Sequence, residues 1–184
     1  MKKYIIGVIT VLLMVQIPLF SQEMNETIKT KMEVLTSKTR VKIKFTNTSM
    51  PPVKAYLTAA NTRIRKVEVG KQVHYFYQIE KTGETQTITA SIEYSDLVEL
   101  IKAIASMKNE VGPDVSGNPD YLENKYITSD GLSAGYYILK GKVNWYIRLE
   151  NHGSGKTLLV NDVETIETAF ISAKDKIDEL KRNR

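Results

Sequence analysis

Val73-His-Tyr-Phe-Tyr-Gln-Ile-Glu80 and Val143-Asn-Trp-Tyr-Ile-Arg-Leu-Glu150 are two versions of one sentence. In each, a valine, an aromatic residue and an isoleucine recur at every second position, and a glutamate closes the run. Strict alternation of this kind marks a strand with one buried face. Val73, Tyr75, Tyr77 and Ile79 share the core side of the first; Val143, Trp145, Ile147 and Leu149 share that of the second. Flanking echoes extend the match. Leu35-Thr36-Ser37 is answered by Ile127-Thr128-Ser129, and Ser95-Asp96-Leu97 by Asn161-Asp162-Val163.

Outward from these segments, strands are expected near residues 31–37, 41–45, 64–69, 88–94, 122–128, 132–139 and 157–160. Residues 25–38 also carry helical spacing through Ile28, Met32 and Leu35. Pro51 and Pro52 disfavour regular structure in 47–52, and residues 53–60 fit either a strand or a short helix. Two helices close the two halves. The first is expected from a Ser95 cap to about Lys108, with Leu97, Leu100, Ile101, Ile104 and Met107 as its stripe. The second is expected to be capped by Asn161, with Glu164 completing a capping box. Its stripe is Val163, Ile166, Phe170, Ala173, Ile177 and Leu180. Residues 112–120, with two glycines and two prolines, read as the joint.

The fold class that follows is α+β: a duplicated antiparallel strands-plus-helix unit, with the helices packed on one side of the sheet. The pseudo-repeats run over about 31–110 and 121–182 within a single domain, 22–184. The echoes are 92 residues apart at Thr36/Thr128 but 70 apart at Val73/Val143. Residues 47–70 therefore read as roughly 22 extra residues in the first copy, where function is expected to gather. One continuous sheet and two separate sheets both satisfy the pattern.

Met1-Lys2-Lys3, the apolar run to Phe20, and Pro18 before Ser21 read as a signal peptide over residues 1–21. Export is expected, to the periplasm or the exterior, with no stable membrane insertion after cleavage. The chain has no cysteine, which excludes thiolate metal sites and thiol nucleophiles, and its formal charge of +5 falls to +3 without Lys2 and Lys3. A duplicated sheet-and-helix layout is shared with the saddle of the TATA-binding proteins, but that surface needs basic residues around its wedges, so no nucleic-acid partner is expected.

Tyr126-Ile-Thr-Ser-Asp-Gly131, Ala134-Gly-Tyr136, Gly141-Lys-Val-Asn-Trp145 and the Asp162–Leu180 segment resemble a group of uncharacterised exported proteins of Bacteroidetes-type bacteria. The resemblance implies a cell-envelope or extracellular location and transfers no catalytic residue.

Gly153-Ser-Gly-Lys-Thr157 lacks the first glycine of a phosphate-binding loop, since Glu150 stands there, and a strand follows it rather than a helix. His74 and His152 are the only histidines and occupy different places in the two copies. Asp96 and Asp162 fit helix first turns. No catalytic constellation, metal site or cofactor is expected. The best functional feature is aromatic. Phe76 and Tyr146 hold equivalent positions on the strand faces opposite the core. Exposed, they would form a paired platform, surrounded by His74, Gln78, Asn144 and Arg148, for an envelope protein, a peptide or a glycan. A non-catalytic binding or structural protein is the leading expectation. The alternatives are a carboxylate-dependent hydrolase or carbohydrate-active enzyme, and an inhibitor or accessory subunit that uses residues 47–70.

Overall fold

A computed structural model of the chain describes residues 29–83, 86–150 and 156–183; the expected signal peptide and His152 lie outside them. A short helix, α1 (Lys31–Thr36), comes first. Then β1 (Ile43–Lys54), β2 (Ala59–Val69), β3 (Gln72–Thr82) and β4 (Thr87–Glu93) form an antiparallel meander that feeds α2 (Tyr94–Ser116). The pattern repeats as β5 (Tyr121–Ile127), β6 (Ser133–Leu139), β7 (Lys142–Arg148) and β8 (Thr157–Val160), followed by α3 (Val163–Arg182). The fold is α+β with two similar sheet-plus-helix units, and the two opening segments are β3 and β7, the third strand of each sheet. There are two four-stranded sheets, not one continuous sheet.

The helices are exchanged. α2 follows the first sheet yet lies mainly against β5, β6 and β7; α3 follows the second and lies against β1, β2 and β3. The Tyr77 ring of β3 meets Phe170 of α3 edge-on, centroids 6.1 Å apart at 83°. On the other side the Tyr136 hydroxyl of β6 donates to Asp114 of α2 at 2.5 Å, and Asn124 of β5 donates to Glu110 at 2.8 Å. The helices are joined by the Tyr94 hydroxyl, which donates to Asp178 at 2.6 Å. Inward residues of both sheets and the stripes of both helices therefore form one core.

Burial pushes the Tyr77 hydroxyl up to about 12, and burial with the Asp114 bond does the same for Tyr136. Both phenols hold their protons more tightly folded than unfolded, where the value is about 10. The stability they contribute is full below pH 10 and is lost as pH rises towards 12. Unfolding midpoints in denaturant should fall steeply across that window, and Tyr77→Phe should flatten the fall. An unchanged slope in that variant would contradict the assignment.

Four expectations are corrected. Residues 31–36 are helical, not a strand, because Thr30 and Glu33 form a reciprocal capping box: the Thr30 amide donates to Glu33 at 2.7 Å and the Glu33 amide to the Thr30 hydroxyl at 3.2 Å. The echo of Leu35-Thr36-Ser37 in the second half thus has no structural counterpart. Residues 47–70 are not an insertion; they are most of the first hairpin. The extra length lies in the strands, 12 and 11 residues in β1 and β2 against 7 and 7 in β5 and β6. Pro51 and Pro52 are tolerated because β1 is an edge strand and its register shifts between Met50 and Val53. α2 starts from Glu93 rather than Ser95 and runs to Ser116, through the expected joint, which lets Glu110 and Asp114 reach the second sheet. Finally, α3 is capped by Asp162, one residue later than expected; its carboxylate accepts from the Thr165 amide at 2.8 Å.

Candidate functional site

Phe76 and Tyr146 do occupy equivalent outer-face positions, but both are fully buried. The exposed pair is not formed, and the physical reason differs between the copies. On the first sheet, α1 lies across the outer face. Leu35 and Met32 cover Phe76, Val67 and Val69. His74 and Phe76 line a hollow of about 310 Å³ beside α1, and the His74 Nε2 is enclosed without a hydrogen-bond partner. Gln78 is consumed by a polar lattice: it accepts from Arg63 at 2.8 Å and donates to Ser91 at 2.8 Å, while Arg63 also donates to Glu80 at 2.9 Å.

α1 is held there electrostatically. The Lys31 ammonium sits 3.0 Å from Glu93 and 3.3 Å from Asp96, and its amide donates to Asp130 at 2.9 Å. Burial opposes the charge on Lys31, but the Glu93 bond and the surrounding carboxylates outweigh it and hold the ammonium above its ordinary range. Burial raises the Asp130 carboxyl. Ser129 donates to Asp96 at 2.5 Å, so the turn after β5 joins the same network.

The second sheet has no helix on its outer face among the described residues. Tyr146 is buried there by its own neighbours. Tyr137 lies 6.2 Å away, the Arg148 guanidinium sits 5.0 Å above the ring, and the hydroxyl donates to Glu123 at 2.6 Å. Burial, then the Glu123 bond, pushes the Tyr146 hydroxyl above the usual phenol range. Burial would raise Glu123, but bonds from Lys125 (2.7 Å) and Tyr146 prevail and hold it below the usual carboxylate range. Tyr121 stacks on Tyr137, 6.3 Å apart at 28°.

Large apolar side chains remain outside on this face: Tyr121 is 59 % exposed, Ile127 49 %, Leu139 45 % and Leu159 43 %. Tyr121 and Leu139 are direct cross-strand partners, as are Tyr146 and Leu159. The first hairpin extends the band. The Tyr56 amide donates to the Leu159 carbonyl at 2.8 Å, so the tip of β1–β2 docks on the free edge of β8. Tyr56 and Leu57 at that tip are 72 % and 89 % exposed. Apolar side chains thus lie across the outer face of the second sheet from Tyr121 to Leu159, with Asn144, Arg148 and Lys125 on the same face and the exposed Tyr56 and Leu57 at its β8 edge.

Of the six residues expected at the platform, Asn144, Tyr146 and Arg148 belong to this face; His74, Phe76 and Gln78 belong to the covered one. Tyr121, Leu139, Leu159, Tyr56 and Leu57 were not expected. Alternation would have found the first two, since Tyr121, Tyr137 and Leu139 have the opposite parity to core residues Leu122, Tyr136 and Ile138. Tyr136 points into the core.

A groove of about 400 Å³ runs between β1 and the first half of α3, with Met50, Pro51, Val53 and Tyr77 on one wall and Asp162, Glu164 and Thr168 on the other. Its two carboxylates are both held below their ordinary range, Asp162 by the Thr165 hydroxyl and Glu164 by Lys108. Among the described residues no three His, Asp or Glu side chains converge on a metal position, and no helix is long and apolar enough to cross a membrane. In the phosphate-loop look-alike, Thr157 opens β8, and residues 153–155 lie outside the described residues. Comparison with known proteins finds no matching family model, no matching curated protein and no matching solved structure.

Proposed function

We propose that this chain is a non-catalytic exported binding protein, and that its contact surface is the open outer face of the second sheet together with the β1–β2 tip. The observation that supports the reading is the contrast between two equivalent faces. One is sealed by α1; the other keeps its apolar side chains in water. Exposed apolar side chains gathered into a band, with polar groups beside them, are a signature of protein or peptide contact. Export, to the periplasm or exterior, rests on the leader-like residues 1–21 and on the resemblance to exported Bacteroidetes-type proteins. An accessory-subunit role uses the same surface, because Tyr56 and Leu57 continue the band.

The test is affinity capture from the cell envelope of the source cells, with wild-type protein beside a Tyr121→Ala/Leu57→Ala double variant. Both sites are solvent-facing, so the unfolding midpoint should change little. Capture of the specific partner should fall at least about tenfold, as loss of two central apolar contacts implies. Equal capture by both proteins would defeat the reading.

A further inference from the structure

We infer that two copies of this chain associate through β5, pairing edge to edge across a two-fold axis at Asn124. β5 is a terminal strand, paired only with β6, and no backbone hydrogen bond reaches its outer side among the described residues. Free strand edges are normally guarded. That of β1 carries Pro51, Pro52 and a register shift, and that of β8 is occupied by Tyr56. β5 has no proline, no glycine and no bulge, and neither has β4, the remaining terminal strand, but β4 (Thr87-Ile-Thr-Ala-Ser-Ile-Glu93) carries no opposite charges with which to pair a second copy.

Its sequence is also self-complementary. A two-fold axis runs identical strands antiparallel, so each residue meets its mirror position. Tyr121-Leu-Glu-Asn-Lys-Tyr-Ile127, centred on Asn124, sets Glu123 opposite the partner's Lys125 and Lys125 opposite the partner's Glu123. Tyr121 and Ile127, 59 % and 49 % exposed on the outer face, meet each other. Leu122 and Tyr126, half-buried at the core margin, meet on the inner face. Opposite charges and apolar pairs directly across a ladder are the stabilising combinations, and like charges there are destabilising. Apart from the Asn124 pair on the axis itself, every cross-strand position in this register is a favourable one. The product is a continuous eight-stranded sheet whose open faces join, so the inference deepens the binding surface proposed above while resting on a different feature, the strand edge.

Sedimentation of the mature chain at about 100 μM, where a contact of ~10 μM affinity is mostly filled, should show a dimer. Lys125→Glu and Glu123→Lys each place like charges opposite one another and should each sediment as a monomer. Mixed in equal amounts they pair oppositely charged edges, and the dimer should return. Lys125→Glu leaves the Tyr146–Glu123 bond in place, so it remains informative if Glu123→Lys folds poorly. The natural chain has no cysteine, so Asn124→Cys gives a register test. Facing Cα atoms in such a ladder lie about 4.5–5.5 Å apart, within disulfide reach, and mild oxidation should give a covalent dimer that Lys140→Cys does not. A monomeric wild type overturns the inference, as does a dimer that ignores both charge reversals and does not cross-link at position 124. Monomers that still capture the partner would overturn this association alone and leave the binding face standing.

Discussion

Gly135→Ala is expected to destabilise the protein by about 3 kcal/mol, at the upper end of the range for overpacked sites. Gly135 sits in β6 opposite Lys125 of β5 and Tyr146 of β7. A Cβ built there lies 2.1 Å from the Asn124 carbonyl oxygen and 2.7 Å from the Lys125 Cα. These are backbone atoms, so no rotamer change relieves the contact. To accept the methyl group, β5 must move away from β6 and strain the hydrogen bonds of Asn124 to Glu110 and Tyr136. For a chain of this size, a melting temperature lower by about 10 °C follows. Thermal unfolding followed by circular dichroism checks it. A shift of a degree or less would mean that β5 is less tightly drawn onto β6 than the structure has it.

Phe170→Ala is expected to cost about 3–5 kcal/mol, as for other buried aromatic truncations. Phe170 is fully buried and meets Tyr77 edge-on. Its removal empties the seam between α3 and the first sheet. The distinctive expectation concerns where the damage is felt. Trp145, the single tryptophan, lies in the second sheet against Tyr136 at 4.8 Å. Because α3 serves the first sheet while α2 serves the second, neither unit can keep a closed core alone. Tryptophan fluorescence and far-ultraviolet circular dichroism should therefore report one coincident transition in the variant, as in the wild type. Two separated transitions would show that the units melt independently, contrary to the shared core.

The strands and long helices were legible because their signals are local. The alternation in β3 and β7 and the three-four spacing in α3 each lie within a single element. What escaped was set by partners distant in sequence. Repeat matching favoured a strand at residues 31–37, although the Thr30–Glu33 box was present to be read; similarity to the second copy is a weaker force than two hydrogen bonds made at once. The exchange of helices leaves no mark in either stripe, since an apolar face does not say which sheet it will meet. The platform was half legible. Parity correctly set Phe76 and Tyr146 on outer faces, but exposure depends on what lies above. α1 decides it for Phe76; Arg148, Tyr137 and Glu123 decide it for Tyr146. The β1–β2 tip could not be assigned to the second sheet from sequence, because the Tyr56–Leu159 bond spans more than a hundred residues.

The exchange of helices also sets a timetable. Synthesis proceeds from the N-terminus, and domains usually fold as they emerge. Here the first sheet, complete by Glu93, waits for a helix that begins only at Val163. Until α3 arrives, the inward face of the first sheet lacks its main cover, and Phe170 is not there to meet Tyr77. The core of the first unit is thereby kept unfinished until the second sheet and α3 have been made, and its contacts are of the long-range kind that close slowly. Such an architecture postpones the point of no return: the first sheet commits to its fold only when a helix made after a second whole sheet closes over it.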